Sequence, residues 1–131
     1  MTKQVLVIDD DEAIRKSFIL ALEDTGYSID TTESGGKGIK LFERNKYNLI
    51  FLDLKMPGLN GVETLRELRK LDDNVLIYII TAFYGDYFPE LQKAIEDKID
   101  FEVLRKPLNN EQIILFTKSM LNKSAKYQDK D

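Results

Sequence analysis

The chain has 131 residues, 43% of them hydrophobic and 32% charged, with a formal net charge of −4 at pH 7 and with neither cysteine nor histidine. This length predicts one domain, and the composition excludes disulfides, thiolate chemistry, phosphohistidine and metal sites built from cysteine or histidine. The acidic charge argues against direct nucleic-acid binding. No apolar run approaches the roughly 20 residues that span a membrane. No export signal is recognisable either, so we expect a cytoplasmic location.

Segments of strand and helix character alternate five times along the chain. In order they are a strand at residues 5–8, a helix over 13–22, a strand at 27–32, a helix over 39–42, a strand at 49–52, a helix over 62–68, a strand at 75–80, a helix over 91–95, a strand at 101–104 and a helix over 113–121. The first, third and fourth strands are continuous apolar runs, which is typical of strands buried on both faces. The second and fifth mix apolar with polar residues, which predicts that they form the sheet edges.

This alternation predicts an α/β fold of the doubly wound, flavodoxin-like class. A five-stranded parallel sheet with right-handed crossovers and its apolar strands in the centre takes the order 2-1-3-4-5, with helices on both faces. The direction in which successive strands are added across the sheet reverses between strands 1 and 3. Ligands of open α/β sheets bind outside the carboxyl ends of the strands at such a reversal. We expect the domain to cover residues 1–122, with a polar disordered tail at residues 123–131.

Polar residues stand where four of these strands end. Asp9 and Asp10 follow strand 1, Asp53 follows strand 3, Thr81 follows strand 4 and Lys106 follows strand 5. At least three carboxylates therefore converge at strands 1 and 3, and at an effective dielectric near 20 each close pair repels by about 3 kcal/mol. Clustered carboxylate oxygens without cysteine or histidine suit a hard cation. Mg²⁺ fits such a site, and Mn²⁺ could replace it.

The acidic cluster and Lys106 together indicate phosphate chemistry. A carboxylate such as Asp53 can attack a phosphoryl donor and form an aspartyl phosphate, provided that cations neutralise the charge on the equatorial oxygens. Lys106 would supply one positive charge, and Thr81 would donate a hydrogen bond. Aspartate is also favoured as a helix cap whatever the function. That interpretation suits Asp11, but it leaves the joint placement at four strand ends unexplained.

The motifs at these positions resemble the receiver domains of two-component response regulators. They are Val7-Ile8-Asp9-Asp10-Asp11, Asp53-Leu54-Lys55-Met56-Pro57 with Gly61, Thr81-Ala82 and Lys106-Pro107, within residues 4–121. The resemblance implies a phosphorylation-dependent signalling switch in which Asp53 accepts a phosphoryl group from a sensor histidine kinase or a histidine phosphotransfer protein. The signal would pass by contact to a downstream protein target, and a phosphorylation-dependent homodimer is left open. We expect a stand-alone receiver, since no output domain is recognisable after the last helix.

The resemblance also implies a role for each site residue. The residues that would hold Mg²⁺ are Asp9, acting through water, Asp10, Asp53 and the backbone carbonyl of Lys55. Thr81 and Lys106 would contact the phosphoryl oxygens, and Thr81 would shift inward on phosphorylation. No enzymatic activity is expected beyond self-phosphotransfer and slow self-dephosphorylation at Asp53.

The stretch between Thr81 and Lys106 departs from the family pattern. It is a few residues longer than in many receivers, and the usual switch aromatic, three residues before the lysine, is Val103. By strand periodicity Phe101 points to the same side and could substitute for it. The side chains of Lys55 and Phe83 fall where they can border the phosphoryl group and its attacking water, which is the basis for the slow self-dephosphorylation.

Two alternatives stand beside the receiver interpretation. Asp9-x-Asp11 after a first strand resembles the opening motif of haloacid-dehalogenase-like phosphatases, although no acidic pair after a later strand completes that site. The other alternative is a pseudo-receiver, an interaction module that keeps the fold without phosphotransfer. The intact acidic set argues against it, while the altered strand 5 keeps it open.

Overall fold

The computed structural model describes residues 2–82 and 84–129, the segment 123–129 as backbone alone. Strands and helices alternate through this part of the chain as the sequence predicts. The elements are β1 Gln4–Ile8, α1 Glu12–Leu22, β2 Ser28–Thr32, α2 Gly35–Arg44, β3 Leu49–Asp53, α3 Gly61–Leu71, β4 Leu76–Thr81, a 3₁₀ helix Tyr84–Tyr87, α4 Phe88–Glu96, β5 Glu102–Arg105 and α5 Asn110–Asp129.

The five strands form one parallel sheet in the order β2-β1-β3-β4-β5. The predicted strand order is therefore confirmed, with β2 and β5 at the edges. Alternate side chains of β1 enter different cores, because successive residues of a strand point to opposite faces. Leu6 and Ile8 belong to the core beneath α2, α3 and α4, whereas Val5 and Val7 belong to the core that α1 and α5 cover.

The predicted boundary between domain and tail falls inside α5. This helix continues to Asp129, past residue 122. The side chains of residues 123–131 lie outside the described ones, so the disordered tail stays a prediction. No described helix combines the length and the apolarity needed to cross a bilayer.

Arg69 is a buried charged residue of α3 that the sequence interpretation did not single out. Its Nε donates to the carbonyl oxygen of Asp100 at 3.0 Å, and its Nη1 donates to those of Val75 at 2.7 Å and Asp72 at 3.3 Å. Since buried cations need such partners, the three carbonyls explain how the guanidinium is accommodated. Arg69 thereby ties the end of α3 to the start of β4 and to the loop before β5.

The start of α3 packs directly on the end of β3, where Asp53 lies. The backbone N–H of Gly61 donates to the carbonyl oxygen of Leu54 at 2.8 Å. A β-carbon at Gly61 would lie 2.2 Å from the carbonyl oxygen of Asp53 and 2.6 Å from the α-carbon of Leu54. Both are backbone atoms that cannot rotate away, so only glycine lets α3 approach the strand this closely.

Replacing Gly61 by alanine should lower the free energy of unfolding by about 1–3 kcal/mol or more, because the new methyl group overlaps backbone. Urea denaturation of both proteins measures this difference. The matched control is Gly36→Ala on α2, where a β-carbon meets no atom within 4 Å and alanine should stabilise the helix by up to about 1 kcal/mol. Equal urea midpoints for Gly61→Ala and the wild type would contradict the close approach.

Candidate functional site

Three carboxylates meet at the carboxyl ends of β1 and β3. Asp9 directly follows β1 and is fully buried, Asp10 beside it is exposed, and Asp53 is the last residue of β3 and only 4% exposed. One carboxylate oxygen of each lies within 4.8 Å of those of the other two. The structure therefore brings together the acidic residues that the sequence placed at neighbouring strand ends.

Backbone contacts fix Asp9 in the loop after β1. Its N–H donates to the carbonyl oxygen of Thr32 at 3.0 Å, and its Oδ1 accepts from the N–H of Asp11 at 2.9 Å. Its carbonyl oxygen accepts from Nη1 of Arg15 on α1, at 2.8 Å. The sequence interpretation missed Arg15, because nothing in the local sequence distinguishes it from any other arginine on a helix. Its guanidinium holds the acidic loop against α1.

Lys106 joins the acidic cluster from β5. Its Nζ lies 2.9 Å from Oδ2 of Asp9 and 3.3 Å from Oδ1 of Asp53. Its backbone N–H donates to the carbonyl oxygen of Thr81 at 2.9 Å, and the peptide bond to Pro107 is cis. One ammonium group therefore bridges two buried carboxylates, which would otherwise repel each other.

Burial and neighbouring charge perturb both members of the Asp53–Lys106 pair. Burial, together with the negative charge of Asp9, raises the pKa of Asp53 to about 7, against the pull of Lys106. For Lys106, burial opposes the charged form, but Asp9 and Asp53 outweigh it and raise the pKa above its ordinary value. A carboxylate with a raised pKa in a cleft is a candidate for chemistry rather than for structural support.

The raised pKa of Asp53 predicts a pH-dependent stability. In metal-free buffer the folded protein binds a proton at Asp53 up to about pH 7, whereas the unfolded chain releases it near pH 3.8. Stability from this group is thus present at low pH and is lost as pH rises from about 4 to 7. Relative to Asp53→Asn, the wild type should lose about 2 kcal/mol over that range once solvent screening is allowed for.

Urea denaturation of both proteins between pH 4 and pH 8, with EDTA present, tests this dependence. The control for pH effects elsewhere in the chain is the Asp53→Asn protein itself, since it shares every other titratable group. A difference between the two proteins that is constant across this range would contradict the raised pKa.

Four further predicted site residues fall in the described part of the chain, and Phe101 lies just before β5, at the end of that strand away from the cluster. Thr81 is buried as the last residue of β4, and Lys55 is exposed two positions after Asp53. Phe101 and Val103 are partly buried, and both pack against the core beneath α2, α3 and α4. Phe83 lies outside the described residues.

The donor set fits a hard cation. Asp9, Asp10 and Asp53 offer carboxylate oxygens alone, which suits Mg²⁺ or Mn²⁺ rather than a soft metal. Oδ2 of Asp9 is buried and has no aligned hydrogen bond among the described residues, although Nζ of Lys106 lies close to it. An exposed third carboxylate, Asp10, leaves the cluster open to solvent on one side. A cation could therefore reach these oxygens and neutralise them.

Known proteins resemble this chain in both sequence and fold. A family model described as the response regulator receiver domain matches residues 5–118. The response regulator MprA of Mycobacterium sp. (strain KMS) is 30% identical over 125 residues, and the transcriptional regulatory protein GlrR of Escherichia coli (strain K12) is also 30% identical over 125 residues. These alignments cover 95% of this chain but 53% of MprA and 28% of GlrR, so the chain spans about half or less of these curated relatives.

Solved structures agree with the sheet order. A CheY-like response regulator receiver domain protein from Methanospirillum hungatei JF-1 superposes with a TM-score of 0.85 at 26% identity, covering 97% of this chain and 99% of that one. A response regulator receiver domain protein from Clostridium thermocellum gives a TM-score of 0.77 at 30% identity, covering 94% and 97% of the two chains.

Proposed function

Because the chain belongs to the response regulator receiver domain family, a family of signalling domains rather than of conventional enzymes, we propose that it is a phosphorylation switch whose phosphoryl group is carried on Asp53. The observation that supports this most is the bridge from Lys106 to Asp9 and Asp53 at the ends of β1 and β3. One ammonium group thus lies beside the carboxylate that is proposed to attack, and the carboxylate of Asp10 lies within 4.8 Å of those of Asp9 and Asp53.

In the proposed reaction, a carboxylate oxygen of Asp53 attacks the phosphorus of a phosphohistidine on a sensor histidine kinase or a histidine phosphotransfer protein. The P–N bond breaks as the O–P bond forms, and the departing imidazole nitrogen takes up a proton. During the transfer, Nζ of Lys106 donates to one phosphoryl oxygen and the hydroxyl of Thr81 donates to another. These donors stabilise charge that develops during transfer.

The proposed cation ligands are Asp10, Asp53 and the backbone carbonyl of Lys55, with Asp9 acting through water. Bound Mg²⁺ would neutralise the equatorial oxygens of the transferring group. The chain's own part is to hold the ligands in place: Asp9 is fixed by Thr32, Asp11 and Arg15.

Incubation with acetyl phosphate and MgCl₂, followed by intact mass measurement, tests the proposal. A gain of one phosphoryl group is expected with Mg²⁺ and should be lost when EDTA replaces it. No gain with Mg²⁺ would contradict phosphotransfer and favour the pseudo-receiver.

The proposed setting is cytoplasmic, with output through contact with a downstream protein and without direct nucleic-acid binding by this domain. Light scattering of the same samples would show whether phosphorylation produces a homodimer.

Replacing Lys55 and Phe83 by serine should speed loss of the phosphoryl group by about tenfold, because smaller side chains would admit the attacking water. The basis for expecting both residues beside the phosphoryl group is their spacing in the sequence, two residues beyond Asp53 and Thr81. The measurement is the decay of the phosphorylated mass after the donor is removed. The exposed Lys37→Ser on α2 is the control, and an unchanged decay in the double variant would contradict slow self-dephosphorylation through these residues.

A haloacid-dehalogenase-like phosphatase would use Asp9 as its nucleophile. The fully buried Asp9 accepts from Asp11 with one oxygen and pairs with Lys106 through the other, which disfavours that role. Turnover of a phosphate ester that survives Asp53→Asn but fails with Asp9→Asn would nevertheless favour the phosphatase.

A further inference from the structure

A cation–π contact joins β5 to the segment that follows β4. The guanidinium carbon of Arg105 lies 5.6 Å from the centre of the Tyr84 ring. The same ring meets the ring of Phe88, the first residue of α4, edge to face with centres 6.0 Å apart. Tyr84 therefore contacts β5 on one side and α4 on the other.

This contact is linked to Thr81 in two ways. Thr81 and Arg105 are paired in the register of β4 and β5, and Tyr84 follows Thr81 by three residues along the chain. Thr81, Arg105 and Tyr84 thus form a closed arrangement at the end of β4. A displacement of the Thr81 backbone would move the strand position opposite Arg105 and the chain that leads to Tyr84, and so would change the distance between the ring and the guanidinium.

The 3₁₀ helix Tyr84–Tyr87 lies within reach of the charge on Asp53. Tyr84 and Tyr87 are partly buried and pack against the core that also receives Val103. Burial raises the pKa of Tyr87, and the negative charge of Asp53 raises it further. A doubly charged phosphoryl group at Asp53 would act on this segment more strongly than the carboxylate does.

Resting on the proposed function, we propose that Tyr84 and Arg105 carry the phosphorylation signal from Thr81 to α4, in place of an aromatic side chain on β5. Val103 stands three residues before Lys106, where receivers usually have the switch aromatic, and its side chain has no ring that could follow a movement of Thr81. When Thr81 moves toward the phosphoryl group, Tyr84 loses its position over Arg105 and carries Phe88 with it. Phe88 is 48% exposed, and the surface around it is what a downstream protein would recognise.

The test follows backbone amide NMR signals of α4 before and after phosphorylation with acetyl phosphate and Mg²⁺. Intact mass is measured on each sample. Tyr84→Leu and Arg105→Gln should take up the phosphoryl group as the wild type does, while the phosphorylation-induced shifts in α4 fall several-fold. Tyr84→Phe keeps the ring and should retain the shifts. Arg44→Gln, an exposed arginine on α2, is the matched control and should also retain them.

Arg105 is exposed, so Arg105→Gln keeps the proposal testable if Tyr84→Leu fails to fold. If the phosphorylation-induced shifts of the α4 amide signals keep their full size in Arg105→Gln, the proposed relay from Thr81 through Tyr84 and Arg105 to α4 is overturned. Loss of these shifts in Phe101→Leu, with Tyr84→Leu unaffected, would instead assign the role to Phe101, just before β5. A missing mass gain in every protein would overturn the proposed function and the relay with it, whereas a mass gain with unchanged α4 shifts in the wild type would overturn the relay alone.

Discussion

Replacing Asp53 by asparagine should abolish phosphoryl uptake from acetyl phosphate. The amide is nearly the same size as the carboxylate, but it lacks the anionic oxygen that would attack phosphorus. It also removes one of the three acidic groups that lie within 4.8 Å of one another, so Mg²⁺ affinity should fall as well. Intact mass after incubation with Mg²⁺ measures the first effect, and titration calorimetry measures the second.

The control for Asp53→Asn is Asp11→Asn. Asp11 is exposed, and its side chain caps α1 by accepting from the N–H of Ala13. Asparagine caps a helix about as well as aspartate does, so this variant should fold normally and take up the phosphoryl group like the wild type. Retained uptake in Asp53→Asn would mean that another residue is the acceptor, and loss in both variants would indicate a general effect of reduced negative charge.

The sheet and the acidic cluster at the carboxyl ends of its strands were predictable because the fold places its buried strands in the centre. A parallel strand covered on both faces must be apolar throughout, so the polar residue that ends the run stands out. Asp53 and Thr81 are such residues, and the structure has them as the last residues of β3 and β4. The sequence predicts both one position beyond their strands, since apolarity alone does not mark the last backbone pairing.

Arg69 shows what apolar patterning overlooks. It follows Val62 and Leu65 at the spacing of one helical face, three and then four residues apart, so its position on the buried stripe of α3 was available as a signal. Its burial depends on carbonyl oxygens from Asp100 and Val75, which only the folded chain brings within reach. The contact between Tyr84 and Arg105 likewise joins residues distant in sequence, and no spacing rule predicts it.

Lys106 shows how the structure refines a correctly selected residue. From the sequence it was expected to contact phosphoryl oxygens. In the structure its ammonium pairs with Asp9 and Asp53, two of the groups proposed to hold Mg²⁺. Under the proposed function, the lysine and the cation would compete for the same negative charge, and both would be needed when the phosphoryl group arrives.

Replacing Lys106 by methionine should tighten Mg²⁺ binding by about tenfold, because removing the ammonium leaves two buried carboxylates without their nearest positive charge. The same change should slow phosphoryl uptake by about a hundredfold, since one donor to the transferring group is lost. Calorimetric titration with MgCl₂ measures the first effect, and the rate of mass gain at saturating Mg²⁺ measures the second.

The matched control is Lys16→Met on α1, an exposed lysine that pairs with Glu12 at 3.1 Å and lies outside the acidic cluster. It should change neither quantity, because exposed ion pairs contribute little. Weaker Mg²⁺ binding in Lys106→Met would mean that the lysine positions the carboxylates rather than competing for them. Tighter binding with normal uptake would mean that the cation alone neutralises the transferring group. Opposite changes in the two measurements are expected only if one ammonium group both opposes the cation before transfer and assists it during transfer.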